Sequence, residues 1–139
     1  MRIFLDTSVL LSASASAKGA SREIFNRAPS NGWILIATPY AIREVIRHIG
    51  DFPASALSDW ERLNSNLLIM DDVLTLDRPA VFAAGKDRPI LFSAVAWADV
   101  LLTLDYNDFK DVMAHPFYGL FVLKPGSFLE RERAEGRLK

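Results

Sequence analysis

The sequence predicts an α/β fold, a parallel sheet with helices on both faces, and three observations carry that prediction. Short runs that are apolar at nearly every position recur at residues 2–5, 33–37, 67–70, 99–105 and 119–123. Such runs fit strands covered on both faces. Segments with helix-start signals or helical spacing stand between them, and that alternation is the mark of βαβ units. At 139 residues the chain is expected to be one domain, 1–139, with a charged tail from about 130.

The first strand, Arg2-Ile3-Phe4-Leu5, runs directly into Asp6-Thr7-Ser8. A helix is expected to start there, with Asp6 either capping it or pointing into the crevice where open α/β sheets bind ligands. Small residues follow, with a break at Lys18-Gly19. A second helix spans Ser21 to Ala28, capped by Ser21 and ended by Pro29-Ser30-Asn31-Gly32. Trp33 to Ala37 forms the second strand. Thr38 and Pro39 open a third helix, in which Ile42, Val45, Ile46 and Ile49 share one face and Tyr40, Glu44 and Arg47 the other.

A fourth helix is expected from Ser55 to about Asn64, with Leu57, Trp60 and Leu63 turned inward. Leu67 to Met70 reads as a short third strand. Residues 71–84 are ambiguous, with room for a short helix from Pro79 to Ala84. Asp87-Arg88-Pro89 opens an apolar helix over Ile90–Ala98. The fourth strand runs to Asp105, a short helix or turn starts at Asn107, and the fifth strand covers Gly119–Leu123. Glu130 to Lys139 alternates in sign and reads as a solvated helix or a frayed end.

Composition sets limits. Sixteen basic and seventeen acidic residues leave a formal charge of -1, so nucleic acid can be bound only through local patches. The absence of cysteine excludes disulfides and thiolate metal sites, and it fits a reducing, cytoplasmic setting. The start of the chain imitates a signal peptide, but Asp6 interrupts its apolar stretch, so secretion is not expected. No apolar run is long enough to span a membrane.

The chemistry lies in scattered acids. Asp6 ends the first strand and Asp105 the fourth. If the sheet order is 3-2-1-4-5, these strands are neighbours at the point where the winding reverses. Glu44 and Asp87 stand in helices beside them, and Asp108 is a fifth member or a supporting one. Crowded carboxylates repel one another unless a cation neutralises them. Mg2+ or Mn2+ takes oxygen ligands and can activate water for in-line attack on a phosphodiester. Each acid also has a plain structural role open to it: Asp6 and Asp87 as caps, Glu44 paired with Arg47 or His48, Asp105 in a turn, Asp108 as a cap. Asp99 begins a strand and belongs to the other end of the sheet, while Asp71, Asp72 and Asp77 read as solvated. There is no glycine-rich phosphate loop, nucleophile elbow or histidine pair.

Taken in order, the motifs resemble those of the PIN-domain ribonucleases. They are Ile3-Phe4-Leu5-Asp6-Thr7-Ser8-Val9-Leu10, Thr38-Pro39 with Glu44, Asp87-Arg88-Pro89-Ile90-Leu91 with Ala94, the stretch from Asp99 to Phe109, and Pro125-Gly126-Ser127-Phe128-Leu129. The resemblance implies a three-layer, Rossmann-like fold of sheet order 3-2-1-4-5 and cleavage of single-stranded RNA dependent on Mg2+ or Mn2+. It assigns acidic roles to Asp6, Glu44, Asp87 and Asp105, metal binding to Asp6, Asp87, Asp105 and Asp108, and supporting hydroxyls to Ser8 and Thr103. Many small bacterial relatives are VapBC-type toxins, so a homodimer and an antitoxin partner are implied too. The Lys86-Asp87-Arg88-Pro89 form of the third motif suits a broader PIN subgroup whose members are not all paired toxins.

Arg43, Arg47, Lys86 and Arg88 flank the acids and are candidates to hold RNA phosphates, with Tyr40 and Tyr106 as candidates to stack bases. Two competing readings are a PIN-fold module that binds RNA or protein without cleaving, and a phosphatase or receiver-like domain phosphorylated on Asp6. The first gains nothing from clustered negative charge. The second expects an acid where Ser8 stands.

Overall fold

The computed structural model describes residues 1–139. Its strands β1 (Arg2–Leu5), β2 (Ile34–Ala37), β3 (Leu68–Ile69), β4 (Val100–Leu102) and β5 (Phe121–Leu123) form one sheet of order β3-β2-β1-β4-β5. All pairings are parallel. Seven helices flank the sheet: α1 (Thr7–Ala15), α2 (Ala20–Asn31), α3 (Pro39–His48), α4 (Ala54–Asn64), α5 (Arg88–Trp97), α6 (Tyr106–Met113) and α7 (Pro125–Ala134). The α/β class and the sheet order are those the sequence and the PIN resemblance predict. No helix is long and apolar enough to cross a membrane.

Ile3, Phe4 and Leu5 are wholly buried, so both faces of β1 are covered. β1 is the centre of the sheet. It pairs with β2 through Ile3↔Leu35 and with β4 through Phe4↔Leu101. The chain first winds outward to β3, then returns to β4 on the other side. The crevice of such a sheet therefore opens beyond Leu5 and Leu102, where Asp6 and Thr103 follow.

The edge strand β3 is two residues long rather than four, and both Leu68 and Ile69 remain exposed. A stub of this kind gives other chains little to pair with. No helix forms between Pro79 and Ala84; a 3-10 turn over Gly85–Asp87 follows instead. Pro29 does not end α2, which continues to Asn31 and closes on Gly32 at φ 66°, a left-handed cap that glycine adopts freely. Gly19, not Ser21, precedes that helix, and Ser21 is buried.

Two helices keep most of the expected inward face but turn one expected residue, Ile46 or Leu57, outward. In α3 the inward stripe is Ala41, Val45 and then Ile49, while Ile46 is 62% exposed. In α4 it is Ala56, Trp60 and Leu63, and Leu57 is exposed. Alanine carries the contact in both, because a small side chain lets neighbouring elements approach closely.

The C-terminal tail is helical to Ala134 and mostly exposed, as expected of a solvated helix, and its end is docked rather than frayed. Glu132 is buried and accepts from Arg137 Nε at 2.6 Å. Arg27 donates to the Lys139 carbonyl at 2.8 Å, and the Lys139 N–H donates to Asn31 at 2.9 Å, tying the tail to α2.

The inward face of α4 is testable by urea denaturation. We predict that Trp60→Ala costs about 3–5 kcal/mol, whereas Leu57→Ser stays within about 0.5 kcal/mol of wild type. Equal losses at the two positions would contradict the observed face.

Candidate metal centre

Asp6 is 5% exposed, a cost that its hydrogen bonds offset. One carboxylate oxygen accepts from the Thr7 N–H at 2.7 Å, so Asp6 does cap α1. The other accepts from Ser8 Oγ at 2.8 Å and Thr103 Oγ1 at 2.7 Å. Both hydroxyls also accept: Ser8 from the Leu104 N–H at 3.1 Å, Thr103 from the Asp105 N–H at 3.0 Å. The loop after β4 is thereby tied to the buried carboxylate after β1. Asp105 in turn caps α6, accepting from the Asp108 N–H at 3.1 Å. Asp105 takes the cap expected of Asp108, whose side chain is left free to face its neighbours.

Asp87, Asp105 and Asp108 each offer an oxygen, and these three lie within 4.8 Å of one another. Asp6, Asp87, Asp105 and Glu44 line one cleft of about 220 Å³, together with Ser8, Tyr40, His48 and Lys86. Asp6 and Glu44 stand outside the tight trio but line the cleft with Asp87 and Asp105, whereas Asp108 lies off that wall. Glu44 also keeps its structural partners, with Arg47 at 3.3 Å and His48 Nε2 at 3.7 Å.

The expected cations divide. Lys86 lines the cleft and places Nζ 3.4 Å from Asp108. Arg47 reaches it only by way of Glu44. Arg88 turns away to donate to the Phe82 carbonyl at 3.1 Å, and Arg43 is exposed and not part of the cleft wall. Tyr106 is exposed beneath the Lys124 ammonium, 5.2 Å from its ring centre. Asp99 is at the opposite end of the sheet, accepting from the Arg2 N–H at 2.8 Å.

Three features escape a reading by residue type. His48 was expected only as a partner of Glu44, yet it also lines the cleft, on the helix face that Tyr40 and Glu44 were expected to share. Asp72, expected to be solvated, accepts from the Tyr40 N–H at 3.1 Å and satisfies the start of α3. Thr38 was the expected cap, but its buried hydroxyl has no partner.

Electrostatics match a site short of positive charge. Burial pushes the Asp6 carboxyl up, its hydrogen bonds from Thr103, Ser8 and Thr7 pull it down, and the Asp105 charge raises it; burial prevails. Asp87 is pushed up to about 8, first by burial, then by hydrogen bonding to Asp108 and by the charge of Asp6. Asp108 is held low, chiefly because a proton on Asp87 makes that group its donor. When both are ionised, Asp87 Oδ2 is a buried oxygen without a hydrogen-bond donor, while Asp108 Oδ2 faces the Lys86 ammonium at 3.4 Å. Lys86 is raised by Asp108. Burial and the charges of Glu44 and Asp87 also raise the Tyr40 phenol, so it remains a donor at neutral pH.

All-carboxylate oxygen ligands, with the buried Asp87 Oδ2 lacking a donor, suit a hard divalent cation such as Mg2+ or Mn2+ rather than a thiophilic metal.

No protein-family model matches this chain, and no curated protein matches it by sequence. Its fold is similar to that of a chain in the crystal structure of VapBC2 from Rickettsia felis bound to a DNA fragment from their promoter. The TM-score is 0.62, over 88% of this chain and 97% of that one, at 16% identity. At that identity the likeness is one of architecture.

The raised carboxyls predict a pH dependence for the metal-free protein. Asp87 stays protonated in the native state up to about pH 8, but ionises near pH 4 in the unfolded chain. The native state therefore binds the extra proton, and stability falls as pH rises through that window. Denaturation in EDTA at pH 5 and pH 8 should show wild type losing stability over this range and Asp87→Asn losing much less. Identical slopes would remove Asp87 as the cause.

Proposed function

We propose that this protein is a metal-dependent endoribonuclease that hydrolyses phosphodiester bonds of single-stranded RNA. The observation that carries the proposal is the meeting of Asp87, Asp105 and Asp108 within 4.8 Å, beside Asp6 and Glu44, at the sheet's switch point. Binding alone gives no reason to gather carboxylates where a polyanion must approach. The PIN-type motifs in the sequence support the same reading.

Asp87, Asp105 and Asp108 would hold Mg2+ or Mn2+, with Asp6 and Glu44 on the adjoining walls. Once bound, the ion supplies a Lewis acid that lowers the pKa of water and steadies the leaving oxygen. The protein's own part is to hold the acids in place. Ser8 and Thr103 orient Asp6 and oppose part of the burial that favours its protonated form, and Thr103 fixes the Asp105 backbone. Lys86, at the rim, is placed to meet a phosphate. Asp6 is held by three hydrogen bonds and serves as a fixed group on the wall of the site.

The finer reading is the toxin of a type II toxin–antitoxin pair, a homodimer in the cytoplasm silenced by a small antitoxin. Its support is the resemblance of the motifs and the fold shared with the VapBC2 complex.

Cleavage of a single-stranded RNA should require Mn2+ or Mg2+, stop in EDTA, and leave 5′-phosphate and 3′-hydroxyl ends. Cyclic-phosphate products would refute water as the nucleophile. Asp105→Asn is expected to abolish cleavage with the fold intact by circular dichroism. Thr103→Val, which removes a supporting hydroxyl, should lower activity about 10–100-fold. Full activity in Asp105→Asn would overturn the proposal.

A further inference from the structure

Glu44 and Asp87 reach the cleft from different elements, and one side chain ties those elements together. Tyr40 lies one turn before Glu44 in α3, on the same face. Its hydroxyl donates to the Lys86 carbonyl at 2.6 Å. That carbonyl belongs to the peptide unit that includes the Asp87 nitrogen. The Tyr40 N–H donates to both oxygens of Asp72, at 3.1 and 3.3 Å. Tyr40 thus grips both ends of the segment that delivers Asp87.

The segment needs such a grip. From Met70 to Ala84 it has no helix or strand. The bonds that shape its end are internal: the Asp87 N–H donates to Ala84 at 2.9 Å, and Arg88 donates to Phe82. Packing also holds this end: Phe82 is buried against Phe109 of α6, and Ile90 and Leu91 bury the first turns of α5 just after Asp87. The Lys86–Asp108 ion pair crosses to α6 as well, but Lys86 is 74% exposed, and an open pair holds little. The Tyr40 hydroxyl adds a directed hydrogen bond from α3 to the peptide immediately before Asp87.

We propose that Tyr40 is a positioning residue of the metal centre: its hydroxyl fixes the Lys86–Asp87 peptide so that the Asp87 carboxylate faces Asp105 and Asp108. The inference rests on the metal-site reading above. It replaces base stacking as the role of this tyrosine, because a ring whose hydroxyl is bonded across the cleft is not free to follow a base. Removing the hydroxyl leaves the ring in place and loosens only the ligand. Tyr40→Phe should therefore weaken Mn2+ binding by about three- to tenfold, the worth of one net hydrogen bond. Cleavage should return to the wild-type rate at saturating Mn2+.

The test is a Mn2+ titration followed by electron paramagnetic resonance on wild type, Tyr40→Phe, Asp105→Asn and Ser65→Ala. Ser65→Ala removes a hydroxyl–carbonyl bond to Arg62 at the end of α4, outside the cleft wall, and controls for general loosening. Amide exchange of the metal-free proteins is measured alongside. Expected are weaker Mn2+ binding and faster exchange at Asp87 and Arg88 in Tyr40→Phe, with Ser65→Ala unchanged in both. Wild-type affinity in Tyr40→Phe, with binding lost in Asp105→Asn, overturns the role of Tyr40 and leaves the metal centre standing. An equal loss in Ser65→Ala overturns it as well. A wild-type protein that binds no Mn2+ overturns the metal centre and this inference together.

Discussion

Two hydroxyls donating to one buried oxygen of Asp6 are the joint on which the site depends. Thr103 comes from the strand beside β1 and Ser8 from the helix that follows it. Each hydroxyl also accepts a backbone N–H of the β4–α6 loop. A hydroxyl that both donates and accepts has little rotational freedom left. The geometry of Asp6 is therefore passed on to Leu104 and Asp105, and from the Asp105 carboxylate to the start of α6 and Asp108. Asp6, Asp105 and Asp108 are thus set by one hydrogen-bonded chain beginning at the centre of the sheet.

That chain explains how the carboxylates can be crowded without springing apart. Repulsion between ionised groups at short range amounts to several kcal/mol in a partly buried setting. Here part of it is avoided by protonation, since Asp87 keeps its proton up to about pH 8. The remainder is resisted mainly by backbone bonds, with one exposed cation, Lys86, paired to Asp108, while Arg47 belongs to Glu44. A divalent ion would release the Asp87 proton and take the place of the missing positive charge. Metal affinity in such a site is tied to proton release.

The parts of this fold and site that could be read from sequence were those encoded locally. β1 from Ile3 onward and β4 are apolar at every position because both of their faces are covered, and Asp6 follows β1 directly while Asp105 stands three residues beyond β4. The sheet order and the PIN-type motifs placed these acids side by side. Long-range partners were not legible. Asp72 looked like a loop acid but closes α3 from 32 residues away. Alanines at 41 and 56 outrank Ile46 and Leu57 in burial, because what counts there is closeness of approach and not hydrophobicity. The tail looked solvated since its charges alternate, yet Glu132 is buried against Arg137. Arg43 and Arg88 neighbour acids in sequence but not in the cleft, as adjacent helical residues point about 100° apart.

A carboxylate as enclosed as Asp6 also bears on why the site exists. An apolar residue of similar volume at that position would avoid desolvation altogether, and buried charges are commonly replaced by apolar groups without loss of stability. The N–H of Thr7 could be capped by a serine or asparagine just as well. Neither packing nor capping therefore calls for an ionisable group at position 6. A carboxylate at this position fits the proposed metal site, where a bound cation would supply the counter-charge that burial denies it. The hydroxyls of Ser8 and Thr103 fit the same proposal, since both offset part of the cost of ionising Asp6 in so buried a place.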